Sequence, residues 1–328
     1  MENLLSNVNG LSEELSIVDN YIDKFLHTER DAGTVDNVFS SVRNSRGKMI
    51  RPQLLLLAAR FGPHYQDRQR NLCKLGAMVE IVHMASLIHD DIIDDSPLRR
   101  SRPTLQHKYG KDMAVVAGDF MISRVLRYLA EEQLMQEALN IGRTIEEMCR
   151  GELRQMACRW DTKTTIDAYL RNIHGKTVAL FVEAVQMGAR GSGASADLSD
   201  CLTAIGEHVG YMFQMRDDLL DFISAEDAEG KPVHRDFADG IYTLPVLYAF
   251  GQPSCGPRLE EIAGSEPASP GYGGLLREMG ELVRQSGGID FCRRQIENHA
   301  AQAKQQIAAL PDHEARLGLG NLIDYLNQ

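Results

Sequence analysis

Apolar positions recur every three to four residues through 54–59, 72–88, 114–129 and 134–149, the spacing of one face of a helix. Strict alternation bounded by turn residues, the mark of a strand, is hard to find. The pattern predicts an all-α protein. Breaks fall at 61–63 (FGP), 191–195 (GSGAS) and 230–232 (GKP). A Gly-, Pro- and Ser-rich stretch at 251–274 reads as a surface excursion between helices, or a mobile loop. Composition does not shift at any break, so residues 1–328 are expected to form a single domain. No uninterrupted apolar stretch reaches bilayer length and residues 1–10 lack a secretory pattern, so no stable membrane span and a cytoplasmic location are expected.

Charge sharpens the picture. The chain carries 35 Lys and Arg against 46 Asp and Glu, a net charge of -11, which disfavours nonspecific binding to nucleic acid or anionic membranes. An anionic substrate would need local basic residues or a metal. The six cysteines have no metal-ligand spacing and are expected to be reduced thiols. Against this background the segment SLIHDDIIDDSPLRR (86–100) stands out, because it packs acidic residues onto the end of an apolar helix. Asp90 and Asp94 share a helical face, with Asp91 offset but three residues from Asp94. MRDDLLDF (215–222) repeats the spacing with Asp217, Asp218 and Asp221. One such cluster could be a solvated acidic helix end. Two of identical DDxxD form, each running on from apolar residues, point instead to oxygen ligands for magnesium, with room for water and phosphate oxygens. The two clusters are expected to face each other.

A polyanion between them would need cations. GKMIRP (47–52) supplies Lys48 and Arg51, LRR (98–100) supplies Arg99 and Arg100, GKT (175–177) supplies Lys176 beside Thr177, and GKP (230–232) supplies Lys231. Arginine suits bidentate recognition of phosphate oxygens, whereas lysine acts as a mobile point charge. GKMIRP lacks the spacing of a nucleotide-binding loop.

Taken together, and with AVVAGDF (114–120), GELRQ (151–155), GYMFQMRDDLLDF (210–222) and GKPVHRDFADGIYTLP (230–245), these motifs resemble the all-trans polyprenyl diphosphate synthases over residues 47–245. The resemblance implies a bundle of long helices around a deep central cavity, usually in a homodimer. It implies that an allylic diphosphate ionises, isopentenyl diphosphate attacks the carbocation, and proton loss leaves a product one isoprene unit longer. On this basis Asp90, Asp94 and Asp217 would ligate up to three Mg²⁺ directly, while Asp91, Asp218 and Asp221 hold bound waters. Arg99, Lys176 and Lys231 would face the leaving diphosphate. Lys48, Arg51, His83 and Arg100 match the site for isopentenyl diphosphate, which binds without metal. Gln214 and the Thr177 hydroxyl would turn dipoles toward the allylic cation. The released pyrophosphate would take the proton. His89 is assigned a structural or supporting use, and Asp119 a buried polar contact.

Product length should be set along the helix before Asp90. Ala85 and Ser86, one turn earlier, are small where short-chain relatives carry an aromatic floor, and Val82 on the next turn is no firm stop. A product longer than geranylgeranyl diphosphate is expected. Two features depart from the family pattern: Ile241 stands where the second lysine falls, and His234 where a glycine falls. Ile241 favours an alternative, a catalytically impaired partner subunit of a heteromeric synthase. A class I terpene cyclase fits less well, because MRDDLLD is not its second metal motif and it has no use for GKMIRP.

Overall fold

The computed structural model describes residues 8–27, 33–43, 47–223 and 234–328, and Lys231 lies outside them. The described residues are almost wholly helical, as their periodicity predicts. By packing, the chain divides into two compact units, each assembled from separate stretches. The divisions fall inside long helices, where composition has no reason to change.

The first unit comprises Met1–Ile145, Leu180–Gly206 and Ile307–Leu322. Its helices α1 (Leu11–Leu26), α2 (Thr34–Arg43) and α3 (Ile50–Ala59) lead to the 29-residue α4 (Tyr65–Ile93). Every residue of α3 is buried, as befits a helix apolar on all sides. α4 packs against α1, α3 and α6 (Lys111–Glu131), with the short α5 (Leu105–Tyr109) between. A window of α4 has the length and mean hydropathy, 1.3, of a membrane span. It is nevertheless 72% buried inside the protein, the position of a core helix.

Helix α7 (Met135–Ala157) and, further on, α10 (Ala196–Ile223) contribute residues to both units. The second unit holds Glu146–Ala179, Glu207–Gln306 and Ile323–Gln328. Here α8 (Ile166–Ile173) runs into a π-helical segment, His174–Val178, followed by α9 (Ala179–Ser192). Thr165 caps α8 by accepting from the Ala168 N–H at 3.1 Å. Beyond α10 come α11 (Arg235–Ala238), α12 (Leu244–Phe250), α13 (Gly256–Ala263), α14 (Tyr272–Gln285), α15 (Gly288–Ala309) and α16 (Ala315–Leu326). The stretch 251–274 is therefore no plain loop: α13 lies inside it and buries Leu259 and Ile262. Gly256 and Pro257 open that helix where a breaker reading sees only irregular chain. All six cysteines are free thiols.

Candidate functional site

In the first unit the acidic cluster closes α4. Asp94 is the C-cap and its N–H donates to the Asp90 carbonyl at 2.9 Å, so the two residues remain one helical turn apart. Asp91, 5% exposed, accepts from Arg99 Nε at 2.8 Å. That contact draws Arg99 onto the cluster and gives Asp91 an arginine partner beside any bound water. Arg99 and Arg100 lie on a small antiparallel ribbon, Leu98–Arg99 paired with Arg102–Pro103. Its two turn residues, Arg100 and Ser101, have φ of 51° and 62°, a left-handed pair usually filled by Asn or Gly. Sequence periodicity could not show a ribbon this short.

The turn delivers Arg100 to the GKMIRP segment: a Cβ on Gly47 would sit 2.7 Å from the Arg100 guanidinium nitrogens, so only glycine admits that approach. Gly47, Glu80, His83, Asp91, Arg99 and Arg100 line one pocket. Arg51, at the first turn of α3, is buried with its guanidinium 4.2 Å from the centre of the Phe181 ring. Burial lowers its pKa to about 10 against the opposing pull of Glu80. His83 is held well below the usual imidazole range by burial first and then by Arg51, Arg100 and Arg99. It is thus a neutral imidazole among three arginines, in a chain whose net charge is -11. Lys48 precedes α3, and its carbonyl accepts from Gln53 Nε2 at 2.6 Å.

His89 lies 3.4 Å from the Val115 carbonyl and 3.5 Å from Asp119. Asp119 is solvent-exposed, 68% of its side chain, so the expected buried contact is instead a surface pairing with His89. Ala85 and Val82 are fully buried, while Ser86 is half-buried and its hydroxyl donates to the His83 carbonyl at 2.8 Å.

The second unit carries the other motifs. The π-helical segment presents Lys176 and Thr177. Gly151 of α7 and Gly175 pack backbone to backbone, since a Cβ on Gly151 would lie 2.3 Å from the Lys176 nitrogen. This crossing lets Lys176 Nζ reach Glu152 at 2.7 Å, giving the GELRQ motif a partner that its spacing did not reveal. Thr177 donates to Gln214 Oε1 at 2.6 Å, and Gln214 Nε2 donates to Asp218 Oδ1 at 2.8 Å. The other oxygen of Asp218 accepts from the Tyr169 hydroxyl at 2.5 Å. Both oxygens of Asp218 thus serve protein donors. Tyr169 had no sequence signal beyond a buried position on the amphipathic α8.

Asp217, Asp218 and Asp221 stand near Asp236, another residue that carried no sequence assignment. Burial, and then neighbouring carboxylates, raise Asp218 to about 7, Asp221 to about 6 and Asp236 to about 8. The Arg235 backbone N–H donates to the Asp221 carboxylate and opposes its shift. His234, in the predicted glycine position, does adopt the left-handed conformation, φ 55°, and its ring is buried against Phe222 at 4.9 Å. The Ile241 N–H donates to the Asp236 carbonyl at 2.8 Å. Arg235 pairs with Asp239 at 3.5 Å.

Each cluster offers oxygen donors only, the set a hard divalent cation prefers, and crowded carboxylates that resist joint ionisation favour such an ion. Among the described residues no group of three or more His, Cys, Asp or Glu side chains is placed to hold a metal ion by itself, so an ion here would need ligands from its substrate or water. Magnesium suits such a place, because it keeps several waters and takes phosphate oxygens beside one or two carboxylates.

Comparison with known proteins gives a family model, polyprenyl synthetase, that matches residues 33–272. A heptaprenyl diphosphate synthase component 2 from Geobacillus stearothermophilus is 33% identical over 97% of this chain and 96% of its own length. The structure of a polyprenyl synthase from Caulobacter crescentus CB15, complexed with calcium and isoprenyl diphosphate, superposes with a TM-score of 0.88. It shares 28% identity and covers 99% of this chain and 97% of that one. A geranylgeranyl pyrophosphate synthase from Lactobacillus brevis, also 28% identical, gives 0.87 over 99% of both chains.

Proposed function

The chain belongs to the polyprenyl synthetase family and is a prenyltransferase, and from that premise we propose that it condenses an allylic diphosphate with isopentenyl diphosphate. The product is an all-trans polyprenyl diphosphate longer than geranylgeranyl diphosphate. The observation that most supports a diphosphate substrate is one pocket lined by the half-buried His83 with Arg99 and Arg100, with Arg51 close by. Those cations hold isopentenyl diphosphate, with Lys48 beside them, while the neutral imidazole donates a hydrogen bond without competing for charge.

Asp90, Asp94 and Asp217 supply carboxylates to as many as three magnesium ions, with Asp221 beside them. When bound, the ions act as Lewis acids that stabilise the charge on the departing diphosphate. Asp91 acts chiefly by orienting Arg99 toward that leaving group, and Asp218 by orienting Gln214. Lys176 and Lys231 add positive charge, and Thr177 and Gln214 turn dipoles toward the allylic carbon. The doubled DDxxD pattern in the sequence is what supports two clusters serving one leaving group. Small side chains at Ala85 and Ser86, and Val82 below them, support a long product, as does the heptaprenyl relative.

The experiment incubates the purified chain with farnesyl diphosphate, excess isopentenyl diphosphate and Mg²⁺ and sizes the products. Products beyond C20, lost in chelator, are expected, and Asp90→Asn should slow condensation about a hundredfold or more. An endpoint at C15 or C20 would defeat the assigned length. Undiminished turnover in chelator would defeat the role given to the aspartates.

The protein works as a homodimer in the cytoplasm. Met135 and Leu139 near the start of α7, and Leu153 and Met156 near its end, share a heptad register and are all exposed, two apolar patches suited to a second copy. Free thiols suit a reducing compartment. A heteromeric reading draws on the name component 2 carried by two relatives and on Ile241. A chain inactive alone but active with an added second subunit would establish it.

A further inference from the structure

We propose that Tyr169 is a positioning residue for prenyl transfer, acting through Asp218 to fix which end of the Gln214 amide faces Thr177. The inference rests on the proposed reaction for its catalytic meaning and on hydrogen-bond direction for its geometry.

Four side chains form one chain of donors. The Tyr169 hydroxyl donates to Asp218 Oδ2 at 2.5 Å, Gln214 Nε2 to Asp218 Oδ1 at 2.8 Å, and Thr177 Oγ1 to Gln214 Oε1 at 2.6 Å. Asp218 and Tyr169 are 4% and 6% exposed, so bulk water does not easily substitute for either partner. Asp218 accepts the Tyr169 hydroxyl on one oxygen and the amide nitrogen on the other, which leaves the amide oxygen facing Thr177. A hydroxyl has a single proton. With that proton committed to Gln214, the Thr177 oxygen can present only lone pairs elsewhere. That is the correct end of the dipole for an electron-poor allylic carbon.

Reverse the amide and the consequence inverts: its NH₂ would face Thr177, and the hydroxyl proton would turn outward. Tyr169 guards against this by occupying the second oxygen of Asp218. It thereby pins the plane of the carboxylate, so that Oδ1 stays opposite the amide nitrogen. Tyr169 comes from α8, Thr177 from the π-helical segment, and Gln214 and Asp218 from successive turns of α10. The polarity is thus set across three backbone elements rather than by local sequence.

The test uses Tyr169→Phe, which keeps the ring and removes the donor. In protein labelled with ¹⁵N-glutamine, the side-chain amide protons of Gln214 are identified by their loss in Gln214→Glu. They should exchange slowly with solvent in the parent and at least about tenfold faster in Tyr169→Phe. In condensation assays kcat should fall about tenfold to a hundredfold, with KM for both diphosphates changed less than about twofold. Placed in a Thr177→Val background, Tyr169→Phe should cost less than about twofold, because the group it orients is gone. Equal amide exchange in parent and variant would overturn the inference, as would an undiminished cost in the Thr177→Val background. If Tyr169→Phe folds poorly, Asp218→Asn must accelerate Gln214 exchange in its place, and unchanged exchange there also overturns it. A parent protein with a protected amide but no condensation would refute the proposed reaction and leave the hydrogen-bond assignment standing.

Discussion

The packing of His234 against Gly280 predicts a reversal of sign. A Cβ placed on Gly280 would lie 2.3 Å from His234 Nε2 and 3.0 Å from its Cε1. The ring cannot retreat: it is 3% exposed and packs on Phe222, itself 2% exposed. Overpacking of this kind costs about 1–3 kcal/mol. Because Gly280 lies inside α14, replacing it with alanine also gains about 0.8–1 kcal/mol of helix propensity. Gly280→Ala should therefore be neutral to destabilising by about 2 kcal/mol in the parent protein. In a His234→Gly background the clash vanishes and the propensity gain remains, so the same substitution should stabilise by about 1 kcal/mol. The coupling between the two positions is then about 1–3 kcal/mol. Urea unfolding of the parent, both single variants and the double variant measures it. An identical effect of Gly280→Ala in both backgrounds would refute the reasoning. The pair matters beyond stability, because His234 sets the left-handed turn from which the Arg235 N–H reaches Asp221.

Further outcomes follow from ionisation and from the product-length assignment. The raised values of Asp218, Asp236 and Glu183, about 7, 8 and 7, mean that the unfolded chain loses these protons first, so they remove stability as pH rises from about 4 toward 8. His234 and His299, both lowered to about 4, act oppositely, but their contribution is complete above the unfolded value near 6.5. Metal-free protein should therefore lose stability between pH 6.5 and 8, and Mg²⁺ with pyrophosphate should restore more of it at pH 8 than at 6.5; thermal melts showing a rise across that interval would contradict the assignment. Ala85→Phe should shorten the longest product in the farnesyl diphosphate assay. A lower melting temperature with unchanged product length would show that Ala85, fully buried, packs against protein rather than along the growing tail.

The helical architecture was legible because α3, α4 and α10 each carry apolar residues at helical spacing over many turns. The acidic clusters were legible because their residues lie within one turn of each other. What escaped was the division of labour inside each cluster. The Asp91 contact with Arg99 is not legible, because nothing local says that Arg99, beyond a two-residue ribbon with a left-handed turn, folds back onto it. Tyr169 escaped because its partner Asp218 is far away in sequence and a tyrosine on an amphipathic helix reads as core. Glu152 lay in a quoted motif, but its pairing with Lys176 needs the Gly151 and Gly175 backbones in contact. The helix α13 was hidden by the same Gly and Pro residues that begin it.

The widened turn at His174–Val178 holds one more residue than a regular helix would accommodate in the same rise. Each residue of an α-helix advances about 100° around the axis. Trimming a single position there would let the backbone relax into an ordinary spiral of nearly the same rise and rotation, so the flanking stretches would keep their facing and only the bulged residues would be redirected. Lys176 and Thr177, inside the bulge, would then lose the directions from which they reach Glu152 and Gln214. Regularity here would thus undo those two pairings rather than the packing on either side.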